Sequence, residues 1–187
     1  MNTTRQVQIP PAPDQQQKLA FMQRRADHDA LDPLIVSWAS RIARPFAPDD
    51  WMGIATELFH WVRDGIRYQR DPDRKEELAP ARIVLARGWD DCDGKVRLFV
   101  AGVRALGLEG RFFPIWRAGQ LSHVMAAVKF AGSEKLPRNQ HGWLIGDLTI
   151  RGAELGQNPY TIASNPDTGK LPLSGGPPPR FWIPHRG

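Results

Sequence analysis

The sequence contains a single cysteine, Cys92, among its 187 residues. One cysteine excludes an intramolecular disulfide. The longest uncharged apolar run, residues 98–103, is far too short to span a bilayer. No basic segment followed by an apolar run opens the chain, so we expect a protein that is cytoplasmic, or packaged into a virion from the cytoplasm, with no membrane association.

Signatures of metal and cofactor sites are also scarce. The five histidines include no pair at helical spacing, and the glycines form no phosphate-binding loop. Asp90, Asp91 and Asp93 offer carboxylates to calcium, but the acidic spacing does not continue as a calcium-binding loop requires. We therefore expect neither a metal nor a cofactor.

The balance of charge is moderately basic. Lysine and arginine number 25 against 20 acidic residues, which gives a net charge of +5, and 41% of the residues are hydrophobic. This composition is typical of a soluble globular protein of one domain. Residues 61–74 interleave four arginines with Trp61 and Tyr68, as a nucleic-acid interface can. Acidic residues interrupt the run, so we favour a solvated mixed-charge face.

The features that suggest chemistry surround Cys92. Residues 88–94 read GWDDCDG, and apolar residues then recur every three or four positions: Val96, Phe99, Val100, Val103 and Leu106. This spacing predicts an amphipathic helix with one buried stripe, leaving Lys95, Arg97 and Arg104 on the exposed side. Asp90 or Asp91 can cap the start of the helix, and Gly107 can cap its end.

Cys92 is therefore predicted to lie in the first turn of that helix. Unpaired backbone N–H groups and the helix dipole favour a thiolate there, and the thiolate is the nucleophilic form. The neighbouring aspartates oppose ionisation, so a nearby cation would have to offset them. The alternative is a small buried apolar residue, against which the polar turn around Cys92 argues.

Two strands are predicted downstream, over residues 121–130 and 141–150. In the first strand, His123 and Val124 lie on opposite faces. In the second strand, Asp147 lies on the same face as Ile145. A cysteine nucleophile, an imidazole base and a carboxylate that orients it are the groups that thiol acyl transfer needs. His141 is a rival base, whereas His60 is interpreted as a structural or surface histidine.

With these residues in view, the chain resembles the transglutaminase-like superfamily of papain-like thiol enzymes. The resemblance rests on residues 88–94 with the following helix, residues 104–112, the stretch 123–125 and the stretch 143–147. Residues 61–68 are similar to the helix end that precedes the cysteine in that family. The resemblance implies Cys92 as nucleophile, His123 as general base and acid, and Asp147 as the residue that orients His123.

The resemblance also implies an α+β fold with a transglutaminase-like (papain-like) core, in which the cysteine-bearing helix packs on an antiparallel sheet. We expect this core over residues 48–155. Residues 1–47 are interpreted as an N-terminal arm and added helices, with helices over about residues 15–29 and 33–43. Residues 156–187 are rich in proline and glycine and are interpreted as an extended C-terminal tail.

Three functional hypotheses follow. The first is a cysteine peptidase or amidase, or an amine acyltransferase, acting on a protein or peptide through Cys92, His123 and Asp147. The second is an inactive structural or assembly protein of a phage-like particle, since small proteins of this kind occur in bacterial viruses and prophages, with the two tails contacting virion partners. The third, nucleic-acid binding through the arginine face, is the least favoured.

Overall fold

The computed structural model describes residues 15–70, 78–117 and 120–159. In chain order the helices are α1 (Gln15–Asp29), α2 (Pro33–Ala43), α3 (Trp51–Gly65), α4 (Ala81–Arg87) and α5 (Cys92–Ala105). The strands are β1 (Arg67–Tyr68), β2 (Trp89–Asp90), β3 (Glu109–Arg117), β4 (Gln120–Lys129) and β5 (Leu144–Gly146). Residues 1–14 and 160–187 lie outside this description, so the predicted arm and most of the predicted tail are untested.

α5 is the central element of the fold. The sheet β3-β4-β5 is antiparallel and packs along one side of α5, while α1, α2, α3 and α4 pack around the rest. The predicted apolar stripe of α5 is buried at Val96, Phe99, Val100 and Val103. This arrangement confirms the predicted α+β fold with the cysteine-bearing helix on an antiparallel sheet.

The helix boundaries follow from local capping. Asp32 accepts a hydrogen bond from the backbone N–H of Leu34 at the start of α2, and Asp50 accepts one from Gly53 in α3. At the end of α5, Gly107 adopts a left-handed φ of 82°. The N–H groups of Gly107 and Leu108 then donate back into the last turn of α5, as the sequence predicted.

The predicted exposure of Lys95 and Arg97 is wrong. Lys95 is 0% exposed and Arg97 is 3% exposed, because α1, α3 and α4 cover the polar side of α5. The Lys95 ammonium donates to the carbonyl oxygens of Arg63 and Ile66 at the end of α3. Local periodicity could not indicate these acceptors, since they belong to a distant part of the chain.

The second predicted strand is also shorter than expected. β4 matches its predicted bounds to within one residue, but β5 covers only Leu144–Gly146. His141 and Gly142 adopt left-handed backbone conformations, with φ values of 54° and 82°, and form a turn before β5. The pairing of Ala126 with Gly146 fixes the register of β4 against β5.

The first two helices belong to the main hydrophobic core. Met22 and Ala26 of α1 and Ile35 and Trp38 of α2 are buried in the same cluster as Phe99. A side chain at Gly102 of α5 would lie 2.6 Å from the Trp38 ring, so glycine permits this close approach. Within the described residues, no helix is long and apolar enough to cross a membrane.

Candidate active site

Cys92 is the first residue of α5, as predicted from its sequence context. Asp91 caps the helix by accepting hydrogen bonds from the N–H groups of Asp93 and Gly94, at 2.9 and 3.2 Å. Asp90 lies behind this turn, fully buried, with its carboxylate 2.7 Å from Arg87 Nη2. A side chain at Gly94 would overlap the Asp90 carboxylate, at 2.1 Å. The close packing of Asp90 against the first turn of α5 therefore requires glycine at position 94.

The Cys92 thiol has two identified hydrogen-bond partners. Its Sγ–H donates to Asp93 Oδ1 at 3.4 Å, and the backbone N–H of Val124 donates to the sulfur. Val124 directly follows His123 in β4. The contact therefore brings the start of α5 to the histidine-bearing part of the sheet.

His123 and Asp147 form a close pair. His123 Nε2 lies 2.7 Å from Asp147 Oδ2, with the Asp147 side chain 1% exposed and that of His123 16% exposed. Ala126 pairs with Gly146, so Asp147, the residue after β5, lies diagonally across from His123 of β4. Diagonal neighbours on adjacent strands are close enough for an imidazole to reach a carboxylate. The strand register thus explains how residues 24 positions apart meet.

Thr149 holds the Asp147 carboxylate in place. Its backbone N–H and its hydroxyl both donate to Asp147 Oδ1, at 2.8 and 2.7 Å. Burial by itself raises the pKa of Asp147, but the hydrogen bond and charge of His123 and the two bonds from Thr149 lower it below its ordinary value. Asp147 is therefore ionised at neutral pH. Sequence reasoning missed Thr149, although an aspartate side chain in a turn commonly accepts from the backbone N–H two residues further on.

The electrostatics of the thiol differ from those expected at an exposed helix N-terminus. Burial raises the pKa of Cys92 well above its ordinary value, and Asp93 and Asp91 raise it further. The Val124 hydrogen bond lowers it, but by less. The predicted opposition of the neighbouring aspartates is confirmed for Asp91 and Asp93. The thiol at rest is therefore protonated, because desolvation and the two neighbouring carboxylates outweigh the Val124 hydrogen bond.

Tyr68 is a further ionisable group of this region that sequence reasoning did not assign to the site. β1 pairs with β2 in parallel, and this places Tyr68 opposite Asp90, beside the turn that leads to Cys92. Burial raises the pKa of Tyr68, and the charges of Cys92, Asp91 and Asp147 raise it further. The Tyr68 phenol thus lies close enough to both the thiol and Asp147 for their charges to raise its pKa.

Lys95 lies one turn beyond Cys92. Burial lowers the pKa of its ammonium to about 7, although the negative charges of Asp64 and Asp147 act in the opposite direction. A lysine that can lose its charge near neutral pH therefore lies within electrostatic range of the His123–Asp147 pair.

The other histidines lie elsewhere. His141 is exposed on the turn before β5, and the histidine placed against Asp147 is His123. His60 is partly exposed on α3, with Nε2 2.6 Å from Glu154 Oε2. This geometry agrees with its interpretation as a structural or surface histidine.

Within the described ranges, Asp91, Cys92 and Asp93 form one group whose potential metal-ligand atoms lie within 4.8 Å of one another. The group does not fit a metal site well. Asp91 already caps α5, and Asp93 Oδ2 lies 3.5 Å from Lys18 Nζ. A raised thiol pKa also disfavours the thiolate that a metal requires. We assign no metal to this group.

Comparison with known proteins locates the chain in a family. Neither the curated proteins nor the solved structures include a match. The model of the transglutaminase-like superfamily matches residues 37–148, more than half of the chain, a range that includes Cys92, His123 and Asp147. The chain therefore belongs to the transglutaminase-like superfamily, as its cysteine, histidine and aspartate motifs predicted.

Proposed function

We propose that this protein is a thiol acyl-transfer enzyme, a cysteine peptidase or amidase that acts on a protein or peptide. In this proposal Cys92 is the nucleophile, His123 the general base and acid, and Asp147 the residue that orients His123. The observation that supports it is the 2.7 Å contact between His123 Nε2 and Asp147 Oδ2. The residue after His123 in β4, Val124, donates its backbone N–H to the Cys92 sulfur.

The hydrogen-bond pattern supports a different role for each ring nitrogen of His123. Asp147 is ionised and can only accept, so the neutral imidazole carries its proton on Nε2 and donates it to Asp147. Nδ1 is then the nitrogen with a lone pair for the thiol proton. Asp147 also stabilises the imidazolium formed when that proton is transferred.

The chemical steps follow from these roles. Cys92 Sγ attacks the substrate carbonyl carbon while His123 Nδ1 takes the thiol proton, and the carbonyl oxygen becomes an oxyanion. The C–N bond then breaks, His123 returns the proton to the leaving amine, and a thioester remains on Cys92. Water, activated by His123, attacks the thioester, releases the acid and restores the thiol. An amine in place of water would give transfer instead of hydrolysis.

The backbone N–H of Cys92 is a candidate oxyanion donor, since it lies at the start of α5, where backbone donors lack helical acceptors. The raised pKa of the thiol bears on the timing of proton transfer. The raised pKa supports removal of the thiol proton by His123 during attack, in preference to a thiolate–imidazolium pair formed beforehand.

The test is the rate of Cys92 alkylation by a neutral reagent as a function of pH, in the native protein and in His123→Ala. We expect His123→Ala to lower the rate near neutral pH by about tenfold or more, because an acid–base partner is lost. Hydrolysis of a peptide library, with Cys92→Ser as the control, then identifies the substrate. Superimposable alkylation profiles would contradict the proposed base.

A second candidate function is suggested by the same raised thiol pKa, because a thiol held protonated suits a scaffold without turnover. In this alternative the protein is a structural or assembly component of a phage-like particle, with the terminal segments contacting virion partners. It predicts that Cys92→Ala leaves assembly intact and that removal of residues 160–187 abolishes it. A cytoplasmic location, before any packaging into a virion, is proposed for either function.

A further inference from the structure

Lys18 of α1 reaches the residue next to the nucleophile. Its ammonium Nζ lies 3.5 Å from Asp93 Oδ2, and the two side chains are only 15% and 10% exposed. The other oxygen of the same carboxylate, Oδ1, accepts the Cys92 thiol at 3.4 Å. One carboxylate therefore connects a lysine of the N-terminal helix to the sulfur of Cys92.

α1 is held firmly enough for this contact to be specific. Met22 and Ala26 are fully buried in the main core. Near the other end of the helix, Asp29 Oδ2 accepts hydrogen bonds from Arg97 Nε and from the backbone N–H of Ala81, at 2.5 and 3.0 Å. The helix is thus anchored to α4 and α5 independently of Lys18.

The charge of Asp93 acts against the chemistry of the thiol. Its negative charge opposes formation of a thiolate, and its acceptance of the Sγ–H retains the proton on sulfur. A cation on the far oxygen of Asp93 weakens both effects, since it draws electron density from the carboxylate and balances its charge.

We propose that Lys18 is a positioning residue of the Cys92 site, which holds the Asp93 carboxylate beside the thiol and offsets its charge. α1 precedes the family-matched residues 37–148, so this assignment adds an element from outside that range to the reactive centre. The inference deepens the proposed function and rests on it for its role in catalysis, but its effect on the thiol can be measured without any substrate.

Several other ionisable groups surround the same thiol from the elements packed around it, and each must stay unchanged in the test. Asp91 and Tyr68 of β1 interact electrostatically with the thiol itself, while Asp90 with its partner Arg87, Lys95 of α5, His123 of β4 and Asp147 after β5 belong to the neighbouring parts of the site.

The experiment compares alkylation of Cys92 by iodoacetamide, from about pH 6 to about pH 10, in the native protein, Lys18→Met and Lys18→Arg. We expect Lys18→Met to slow alkylation near pH 8 by about threefold to tenfold, which corresponds to a shift of the alkylation profile to higher pH by about half to one unit. The reason is that the charge of Asp93 is then less well balanced. Lys18→Arg, which keeps the cation, should recover most of the native rate. Arg24→Met removes a cation from the exposed side of α1 and should leave the profile unchanged.

The Asp93→Asn background tests the route of the effect. Asp93→Asn alone should speed alkylation, and Lys18→Met added to it should change the rate by less than about twofold, since the carboxylate through which Lys18 acts is gone. An equal effect of Lys18→Met in both backgrounds, or a Lys18→Met profile identical to the native one, would overturn the proposal. If Lys18→Met does not fold, Lys18→Gln replaces it in both backgrounds, and a thiol indifferent to Asp93→Asn would also overturn the proposal, because that carboxylate is the route by which Lys18 acts.

The outcomes also separate this inference from the proposed function. If His123→Ala leaves the alkylation rate unchanged while Lys18→Met lowers it, the proposed base is rejected and the role of Lys18 is kept. The reverse result would keep the proposed enzyme and remove Lys18 from its site.

Discussion

Asp147 shows at the scale of single residues how the candidate site is maintained. Its carboxylate is nearly fully buried, a position that by itself favours the neutral acid. One oxygen accepts from His123, and the other accepts twice from Thr149. The ionised form is therefore stabilised by specific donors rather than by water. Thr149 is as much a part of this arrangement as His123.

The first prediction concerns the Thr149 hydroxyl. Thr149→Val keeps the shape of the side chain and removes one donor to Asp147, so we expect a loss of about 1 to 3 kcal/mol in the free energy of unfolding near pH 7. The native pKa of Asp147 is lowered, so its stabilising contribution is fully present above the unfolded value of about 3.9 and is lost as the pH falls through the native value.

The difference between native protein and Thr149→Val should therefore shrink below about pH 4. Urea unfolding across pH measures it, with Thr149→Ser, which keeps the hydroxyl, as the control. A difference that is independent of pH would mean that the hydroxyl does not act on the charge of Asp147.

At the scale of secondary-structure elements, α5 is buried on its polar side as well as on its apolar side. Lys95 joins α5 to the end of α3 by donating to the Arg63 and Ile66 carbonyl oxygens. A cation at the C-terminus of a helix interacts favourably with the helix dipole. Burial nevertheless lowers the pKa of Lys95 to about 7, so this junction between two helices contains a proton that is lost near neutral pH.

The second prediction follows from the sign of that shift. Below about pH 7 the ammonium is protonated in both the folded and the unfolded states, and the cost of burying the charge is fully present. Between about pH 7 and about pH 10 the unfolded chain binds more protons, so stability rises with pH. We expect the free energy of unfolding of the native protein, relative to Lys95→Met, to rise by up to about 1.4 kcal/mol per pH unit in this range.

Chemical denaturation at several pH values provides the measurement. Lys135→Met, which removes an exposed lysine, should follow the native pH dependence. A constant difference between the native protein and Lys95→Met over the same range would show that Lys95 keeps an ordinary pKa.

At the scale of the whole molecule, a buried ion pair joins segments that are distant in sequence. Asp29 at the end of α1 binds Arg97 of α5, with both side chains less than 10% exposed. Arg97 also donates to the carbonyl oxygen of Leu78, and Asp29 accepts from the N–H of Ala81. The N-terminal helix, the segment before α4 and the central helix therefore depend on the same pair of charges.

The third prediction compares two aspartates of α1. Asp29→Asn leaves the Arg97 charge buried without its counter-ion, so we expect a loss of about 3 to 5 kcal/mol in the free energy of unfolding. Asp27 pairs with Arg104 at 2.9 Å, but its side chain is 66% exposed, so Asp27→Asn should cost less than about 1 kcal/mol. Thermal and urea unfolding give both values. Equal losses in the two variants would show that burial does not strengthen the Asp29–Arg97 pair.

The sequence by itself determined the local features of the fold and of the candidate site. It predicted Cys92 in the first turn of α5, the cap at Gly107 and the bounds of β4 with His123 on it, whereas Asp147, predicted on a strand, follows the end of β5. These features depend on residues within a few positions of one another, through side-chain periodicity and hydrogen bonds at helix ends. The family motifs also lie within such short stretches, which is why the superfamily could be identified from them.

Tertiary structure alone decided the burial of Lys95 and Arg97, the protonated state of the Cys92 thiol, and the contacts that Thr149 and Lys18 make with the site. Lys18 and Asp93 are separated by much of the N-terminal half of the chain, and the acceptors of Lys95 lie at the end of α3. A local pattern indicates which side of a helix is polar, but not which distant helix will cover that side. Burial and charge then set the pKa values, because desolvation depends on all the atoms that surround a group and not on its neighbours in sequence.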